Sequence, residues 1–323
     1  MVLILTTALG GLAVTEPILA AGAGVVIAVL LVARDPMHHF AKRVLTDSEL
    51  KSALTLAAVT LVVWPVMPDH FMGPYDAINP RSLWTVVVLA MTIGAVGYVA
   101  VRILGTRFGL PIAGFASGFV SSSATIAAMG DKASSDARLL GPAAAGAVLS
   151  NIATIVQAGL LIAAVSPSTL YALAVPLSLA ALVATVYGLL FALGATSSSD
   201  AGVATSGEAF SAKTALMLAG VIAVSLVVAA AARSWFDEAG VLAAASAAGF
   251  ADAHSAALSV ASLVASGQMS AIDARLPIVL GLTTNACVKC VLAITQGGQA
   301  FAARVVPGVV LVALGLWLGL VIR

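Results

Sequence analysis

The sequence predicts an all-α fold, a polytopic bundle of about 10–11 transmembrane helices with an internal duplication of a four-helix unit. Three observations predict it: an apolar composition, apolar runs of membrane-spanning length, and motifs that recur in order. Of 323 residues, 61% are hydrophobic and 9% are charged, whereas soluble domains carry about 25% charged residues. So few charges cannot coat the surface of a soluble fold of this length, so we expect lipid to solvate most of the chain.

The charge balance and the motifs exclude several function classes. The chain has 15 Lys and Arg residues and 14 Asp and Glu residues, and this net charge of +1 offers no basic surface for nucleic acid. The sequence contains no Gly-rich phosphate loop and no catalytic motif of the G-x-S-x-G or H-E-x-x-H type. We therefore expect a protein that is not an enzyme and that carries no cofactor.

Apolar runs broken by charge, proline or serine clusters mark the candidate membrane helices. A spanning helix needs about 20 apolar residues at about 1.5 Å per residue. The first run is short and no positive residue precedes it, so one interpretation is the remnant of a longer parent. The candidate runs are 2–14, 17–33, 51–67, 84–104, 109–129, 140–165, 169–195, 213–233, 239–265, 276–295 and 305–322.

Basic residues in the short loops predict the orientation, because lysine and arginine are retained preferentially on the cytoplasmic side. Two loops on one side are the most basic, and we place that side in the cytoplasm. The segment 196–212 is rich in serine, glycine and alanine and predicts a flexible linker between two halves. The basic residues that set the orientation are Arg34, Lys42, Arg43, Lys51, Arg102 and Arg107.

Three landmarks recur in the same order in the two halves, which indicates a duplication. We predict N-terminal membrane helices over 1–83, a first repeat over 84–195 and a second repeat over 213–323. If every run crosses the membrane the two copies are parallel, and if one run is re-entrant they are inverted. The landmarks are Gly118–Ser123 with Gly249–His254, Asp136–Leu139 with Asp273–Leu276, and Ser150–Asn151 with Thr284–Asn285, at offsets of 131, 137 and 134.

Asp252, His254 and Lys289 are ionisable residues inside apolar runs of the second half. An Asp or Lys at a helix centre costs about 2.5–3.5 kcal/mol on insertion, so it needs compensation. Structural compensation would pair Asp252 with Lys289 between antiparallel helices. Functional compensation would place these groups on a hydrated path for an ion, a proton or a polar solute, and intramembrane charges favour this second interpretation. Asp252 is also the one candidate metal ligand.

A polar stripe begins at Asp252 and follows one helical face for about 21 Å. Such a face either joins helices through hydroxyl groups or borders water, and both interpretations stay open. The stripe consists of Asp252, Ser255, Ser259, Ser262 and Ser266.

The first half has a similar layout without charge. Gly114 and Gly118 form a G-x-x-x-G face for close helix packing. Three hydroxyls in a row cannot all face one partner, so Ser121, Ser122 and Ser123 indicate a local helix break that exposes backbone groups to a ligand. Further polar residues on these helices are Thr125, Asn151, Thr154 and Gln157, and Asn285 shares a face with Lys289.

A set of motifs from about residue 20 onward follows the order of a known family. It comprises, within the run from Ala53 to Tyr98, Pro65, Pro68-Asp69, Gly73-Pro74, Asn79-Pro80-Arg81 and Trp84, followed by Gly114–Thr125, Asp252, Asn285 and Lys289. In these residues the chain resembles the bacterial MgtC/SapB-type membrane proteins that carry an additional C-terminal domain of unknown function. The resemblance implies an association with magnesium homeostasis and a multi-pass location in the bacterial cytoplasmic (inner) membrane.

The chain departs from that family in two places. The resemblance implies N-terminal MgtC-like helices ahead of these motifs, and we expect them to be missing or truncated in this sequence. His254 replaces the second acidic residue of the family's pattern, which weakens the case for two carboxylates that jointly hold a divalent cation, because Mg²⁺ prefers carboxylates and retained water.

Our leading hypothesis is a secondary, proton-coupled transporter of a small ion, with a divalent cation such as magnesium favoured through the resemblance alone. Asp252 and His254 would titrate, and Lys289 would supply the counter-charge. The alternative is a non-transporting membrane regulator or assembly partner whose buried polar residues only pack helices. The expected partners are the lipid bilayer and the ion, without nucleic acid, and a homodimer is one option. The path would be lined by Ser121, Ser122, Ser123, Thr125, Asn151, Asn285, Ser255 and Ser259.

Overall fold

The computed structural model describes residues 2–32, 54, 56–57, 59–194 and 212–322. Helices dominate these residues, and no β-strand occurs among them. The predicted all-α class is therefore confirmed. The chain divides into two compact units, Met1–Leu54 and Thr55–Arg323.

In the first unit the structure describes residues 2–32 and 54, and these include two helices, α1 (Val2–Thr15) and α2 (Pro17–Val32). They correspond to the first two predicted runs. Pro17 occupies the first position of α2, where its missing N–H costs nothing because that group has no helical partner. Four of the basic residues that predict the orientation lie outside the described residues, so the orientation stays a prediction: Arg34, Lys42, Arg43 and Lys51.

The second unit begins with short turns before its first long helix. The described part of the predicted run 51–67 includes a π-helical turn at Val59–Val63 and a 3-10 turn at Trp64–Val66, and the rest of that run is only partly described. The Trp64 indole donates to the Thr85 hydroxyl at 2.7 Å, and the Arg81 guanidinium lies 5.2 Å from the centre of the Trp64 ring. These contacts hold the short turn at Trp64–Val66 against the first long helix.

Six α-helices with defined bounds lie in the described residues of the second unit. Six apolar stretches of its helices are long enough to cross a membrane, so the chain is a multi-pass membrane protein. Asn79 caps the first of these helices, because its Oδ1 accepts from the Ser82 N–H at 3.1 Å. The helices are α3 (Pro80–Ser135), α4 (Leu140–Val165), α5 (Pro167–Gly194), α6 (Ala212–Ala251), α7 (Ala253–Ala265) and α8 (Arg275–Val321). The predicted linker 196–212 lies outside the described residues except for Ala212.

The longest helix, α8, folds back on itself. Its 47 residues would extend about 70 Å if straight, more than twice the thickness of the hydrocarbon core. The Trp317 indole nevertheless donates to the Thr283 hydroxyl at 3.1 Å. Gly298, at φ 67° and ψ −178°, is the turning residue, and glycine adopts this conformation without a steric penalty. The reversal separates the predicted runs 276–295 and 305–322.

Two further reversals occur in α3 and α6. In α3 the chain turns at Gly109 (φ 74°), and Gly97 then lies against Ala116 and Phe119. In α6 the chain turns at Asp237 (φ 51°), which brings the backbone of Ala232 beside Gly240. The turn at Gly109 separates the predicted runs 84–104 and 109–129, and the turn at Asp237 separates 213–233 and 239–265.

Glycine contacts join the helices in both halves. A methyl group on Gly118 would lie 2.8 Å from the Ser150 Cα, and Gly114 packs directly on Gly146. The predicted packing role of the G-x-x-x-G face is confirmed. In the second half Gly249 packs on Gly281 and Thr284, so the contact recurs at the offsets that relate Gly118 to Gly249 and Ser150 to Thr284.

The acidic residues of the recurring Asp-Ala-Arg-Leu motif lie in connecting segments and differ in their contacts. Asp136 accepts from the backbone N–H of Arg138 at 2.9 Å and forms an ion pair with its guanidinium at 3.0 Å. The hydrogen bonds from the Arg138 side chain and backbone hold the pKa of Asp136 below its ordinary value. Asp273 instead accepts from the Ser270 hydroxyl at 2.6 Å. The motif therefore marks equivalent loop positions without repeating one interaction.

Candidate functional site

Two helices of the second unit are interrupted at equivalent residues. Ser121, inside α3, has φ −166° and ψ 111°, and Asp252, between α6 and α7, has φ −159° and ψ 134°. Each residue caps the helical segment that follows it. The Ser121 hydroxyl accepts from the Ala124 N–H at 3.2 Å, and Asp252 Oδ2 accepts from the Ser255 N–H at 2.7 Å.

The break at Ser121 confirms the local helix break that the three consecutive serines predict, while the exposure of backbone groups to a ligand stays a prediction. The placement of Asp252 inside one continuous helix over 239–265 is wrong, because Asp252 separates α6 from α7 in extended conformation. A carboxylate that caps the next segment satisfies N–H groups that have no helical partner, and the extended backbone at the cap ends the preceding helix.

Both breaks line one cavity of about 250 Å³. Its apolar side is formed by residues such as Met91, Leu161 and Ile222. Six of the predicted site residues line it, and two further polar residues of α4 join them. The polar lining consists of Ser121, Ser122, Ser123, Asp252, His254 and Asn285 from the predicted set, with Thr154 and Gln157.

The Asp252 carboxylate is held by its own helix segment. His254 Nδ1 lies 3.2 Å from Asp252 Oδ1, while the N–H and the hydroxyl of Ser255 donate to Oδ2 at 2.7 and 2.8 Å. His254 Nε2 is buried and has no hydrogen-bond partner among the described residues. The pair therefore presents one unpaired imidazole nitrogen beside a carboxylate whose two oxygens are both engaged.

Lys289 is buried on α8, with 3% of its surface exposed. Its ammonium donates to Asn151 Oδ1 at 3.1 Å and to the Thr154 hydroxyl at 2.9 Å, and both partners lie on α4. The ion pair between Asp252 and Lys289 that the structural interpretation requires is not formed. Within the described part of the chain the ion-pair partner of Asp252 is His254, and Lys289 has neutral partners.

A hydrogen-bond chain connects Lys289 to the cavity. Thr154, which accepts from Lys289, donates its own hydroxyl proton to Ser122 Oγ at 2.7 Å. Thr154 and Asn285 line the main cavity and also a second cavity of about 30 Å³, which Asn151 and Lys289 border as well. Lys289 is thus separated from the main cavity by the Thr154 side chain.

Asn285 compensates the break before Asp252. Its amide donates to the carbonyl of Gly249 at 3.3 Å. That carbonyl lies in the last turn of α6, where backbone oxygens have no helical partner. The neighbouring break is therefore supported by a side chain from α8.

The remaining predicted path residues do not line the main cavity. The buried hydroxyls of Thr125 and Ser259 donate to carbonyls of their own helices, at Ser121 and Ala256. Ser255 is engaged with Asp252. The serine hydroxyls of the stripe thus bond mainly to atoms of their own helix segment and its cap. Of the stripe residues, Asp252 borders the main cavity.

Gln157 and Thr154 are cavity residues that the predicted path does not include. They follow Asn151 on α4 at steps of three, which is a polar face in an otherwise apolar run. This spacing could have indicated that Thr154 and Gln157 belong to the site. It does not do so uniquely, because hydroxyls and amides on membrane helices also serve packing alone.

Metal ligation has little support in this site. The described residues contain no group of three or more His, Cys, Asp or Glu side chains placed to hold a metal ion. Asp252, the candidate metal ligand, is surrounded by hydrogen-bond donors.

Fold and site together define a multi-pass α-helical membrane protein with two interrupted helices around a buried polar cavity. The family model described as "Domain of unknown function (DUF4010)" matches residues 88–297. The chain belongs to this family. The matched range includes both breaks, Gln157 and Lys289, and no MgtC/SapB-type match accompanies it. The comparisons with curated proteins and with solved structures find no match.

Proposed function

We propose that the chain is a secondary transporter of a small ion in the bacterial cytoplasmic membrane. The observation that carries the proposal is the convergence of two interrupted helices, at Ser121 and Asp252, on one cavity. Transporters build substrate sites from discontinuous helices, whose free backbone groups supply polar contacts inside the membrane. Interrupted backbone at membrane depth is tolerated where it is buried in protein or lines a water-filled cavity.

The cavity supports transport over a role in packing alone. A packing role predicts close contact between the interrupted helices, as the glycine faces provide elsewhere. Here a space of about 250 Å³ lies between polar residues that come from four parts of the chain. Gln157, with 6% exposure, has no hydrogen-bond partner among the residues described and lines that space. A solvated or ligand-filled path accounts for both features.

Proton coupling is assigned to Asp252 and His254. A proton on His254 Nε2 gives an imidazolium that the adjacent carboxylate balances, and it turns an unpaired nitrogen into a donor that faces the site. Within the part of the chain that the structure describes, the other charged group that reaches the cavity from a packed helix is Lys289, through Thr154. Release of the proton would return the donor to an acceptor and change the affinity for the ion.

Magnesium as the transported ion is supported by the MgtC/SapB resemblance alone. Mg²⁺ prefers octahedral oxygen ligands and retains much of its water. The cavity offers one carboxylate, Asp252, and its oxygens already accept from His254 and Ser255.

Flux measurements on the purified protein in liposomes test the proposal. Imposed gradients of single salts, followed by entrapped pH-sensitive and ion-sensitive dyes, should be dissipated faster than in protein-free liposomes. Asp252→Asn should reduce this flux by about tenfold or more, because it removes the charge that balances His254. Asp131→Asn, an exposed carboxylate at the end of α3, is the matched control and should leave the flux unchanged.

Two results would reject transport in favour of a regulatory or assembly role. One is a wild-type protein that elutes as a single species, inserts into liposomes and moves neither ion nor proton. The other is an Asp252→Asn variant with the full wild-type flux.

A further inference from the structure

We infer that the ion bound in the main cavity is a small anion. This rests on the proposed transport function and specifies the substrate of the same site. It is carried by the direction of the hydrogen bonds around the cavity, by a buried lysine whose hydrogen-bond partners are neutral, and by the unpaired amide of Gln157.

The hydrogen-bond chain from Lys289 ends in a free donor. The Lys289 ammonium can only donate, so Thr154 accepts from it and directs its single hydroxyl proton to Ser122. Ser122 accepts that bond, and its own proton remains available on the cavity side. The positive charge of Lys289 therefore reaches the cavity wall as an oriented hydroxyl donor.

The charged acceptor that lines the cavity among the described residues, Asp252, is largely occupied. Asp252 accepts three hydrogen bonds, from His254, the Ser255 N–H and the Ser255 hydroxyl, out of about four lone-pair positions on a carboxylate. One lone-pair position would remain for a cation at this carboxylate, and any further ligation there would have to displace bonds that cap α7. An anion leaves all three bonds in place.

The two half-helices add positive potential at the same place. Ser122, Ser123 and Ala253 are the first helical residues after the breaks, and all three line the cavity. A helix N-terminus acts as about half a positive charge. The carboxylate of Asp252 offsets this at the second break, while the neutral hydroxyl of Ser121 leaves it uncompensated at the first.

Gln157 supplies a second, independent observation. The side chain of Gln157 forms no hydrogen bond with the residues described, and it lines the cavity from α4 with 6% of its surface exposed. Its NH₂ group can donate to a bound anion, beside the Ser122 hydroxyl. A volume of about 250 Å³ is below the range of drug-sized pockets, which begins at about 300 Å³. The class of ligand is thus a halide, a small oxyanion or a one- to two-carbon carboxylate.

The sign of the ion is tested by an isosteric substitution. Wild-type protein in liposomes is assayed with chloride, nitrate, formate and phosphate, and separately with Na⁺ and Mg²⁺ paired with an impermeant anion. Gln157→Glu keeps the side-chain shape and adds a negative charge, so anion flux should fall by about tenfold or more. Gln299→Glu, an exposed position beside the α8 turn, should leave flux unchanged. Ser122→Ala, which removes the terminal donor with little change in volume, should also slow anion flux.

The outcomes separate this inference from the proposed function. Flux of Na⁺ or Mg²⁺ without flux of any anion overturns the anion inference and leaves transport intact. No flux of any ion by correctly inserted protein rejects both. Unchanged anion flux in Gln157→Glu also overturns the inference, and if that variant does not fold, unchanged anion flux in Ser122→Ala does so.

Discussion

Ser121 and Asp252 occupy the same backbone conformation at the start of two half-helices, and both border one cavity. Each side chain accepts from the N–H group three residues ahead. One is neutral and the other is ionisable, so an equivalent position in the two halves carries different chemistry. Both residues therefore cap the helix segment that follows, and Asp252 differs in that its side chain can carry a charge.

The cap and the charge at Asp252 can be separated by substitution. Asp252→Ser keeps a hydroxyl that can accept from the Ser255 N–H, as Ser121 does in the first half, so thermal stability in detergent should stay close to wild type. Asp252→Ala loses the cap and should cost about 0.5–2 kcal/mol. Both variants should lose transport. Equal stability of the two variants would show that the cap contributes nothing.

The contact at Gly249 should tolerate no side chain. A methyl group there would meet the Gly281 carbonyl and the Thr284 hydroxyl, so Gly249→Ala should lower the melting temperature and the yield of monodisperse protein. Gly220→Ala on α6 has open space around it and serves as the matched control. A Gly249→Ala protein as stable as Gly220→Ala would contradict the close contact of α6 with α8.

Lys289 should be more strongly coupled to Thr154 than to Asp252. Lys289→Met combined with Thr154→Val should show a coupling energy of about 0.5–3 kcal/mol in a double-mutant cycle, because the two side chains share a hydrogen bond. Lys289→Met combined with Asp252→Asn should show a smaller coupling energy, since these residues attract each other at a distance but form no ion pair. The reverse pattern would restore the architectural pairing of Asp252 with Lys289.

His254 should couple ion flux to proton movement. His254→Gln removes the group that gains a proton beside Asp252, so ion flux in liposomes should no longer change the lumenal pH. His70→Gln, an exposed histidine before α3, should keep the coupling. Wild-type proton movement in the His254→Gln protein would assign the coupling to another group.

The sequence predicted most of the helices and half of the breaks. Apolar length is a local property, so the runs from 84 onward correspond to helical segments, and three adjacent hydroxyls indicated the break at Ser121. Asp252 was placed in a continuous helix because the alanines around it favour helix. Its cap depends on the hydrogen bond that its carboxylate forms with the N–H group three residues ahead, which composition does not reveal. The partners of Lys289 could not be predicted, because they lie on α4, more than a hundred residues away.

The central claim is that the ion crosses through the cavity between the two breaks, and site-directed labelling tests it most directly. In a Cys287→Ser, Cys290→Ser background, Ser123→Cys introduces one thiol into the cavity wall. A membrane-impermeant methanethiosulfonate reagent should block its flux in liposomes and leave the cysteine-free parent and an exposed Ser135→Cys control unaffected. Full flux after complete labelling of Ser123→Cys would contradict the claim.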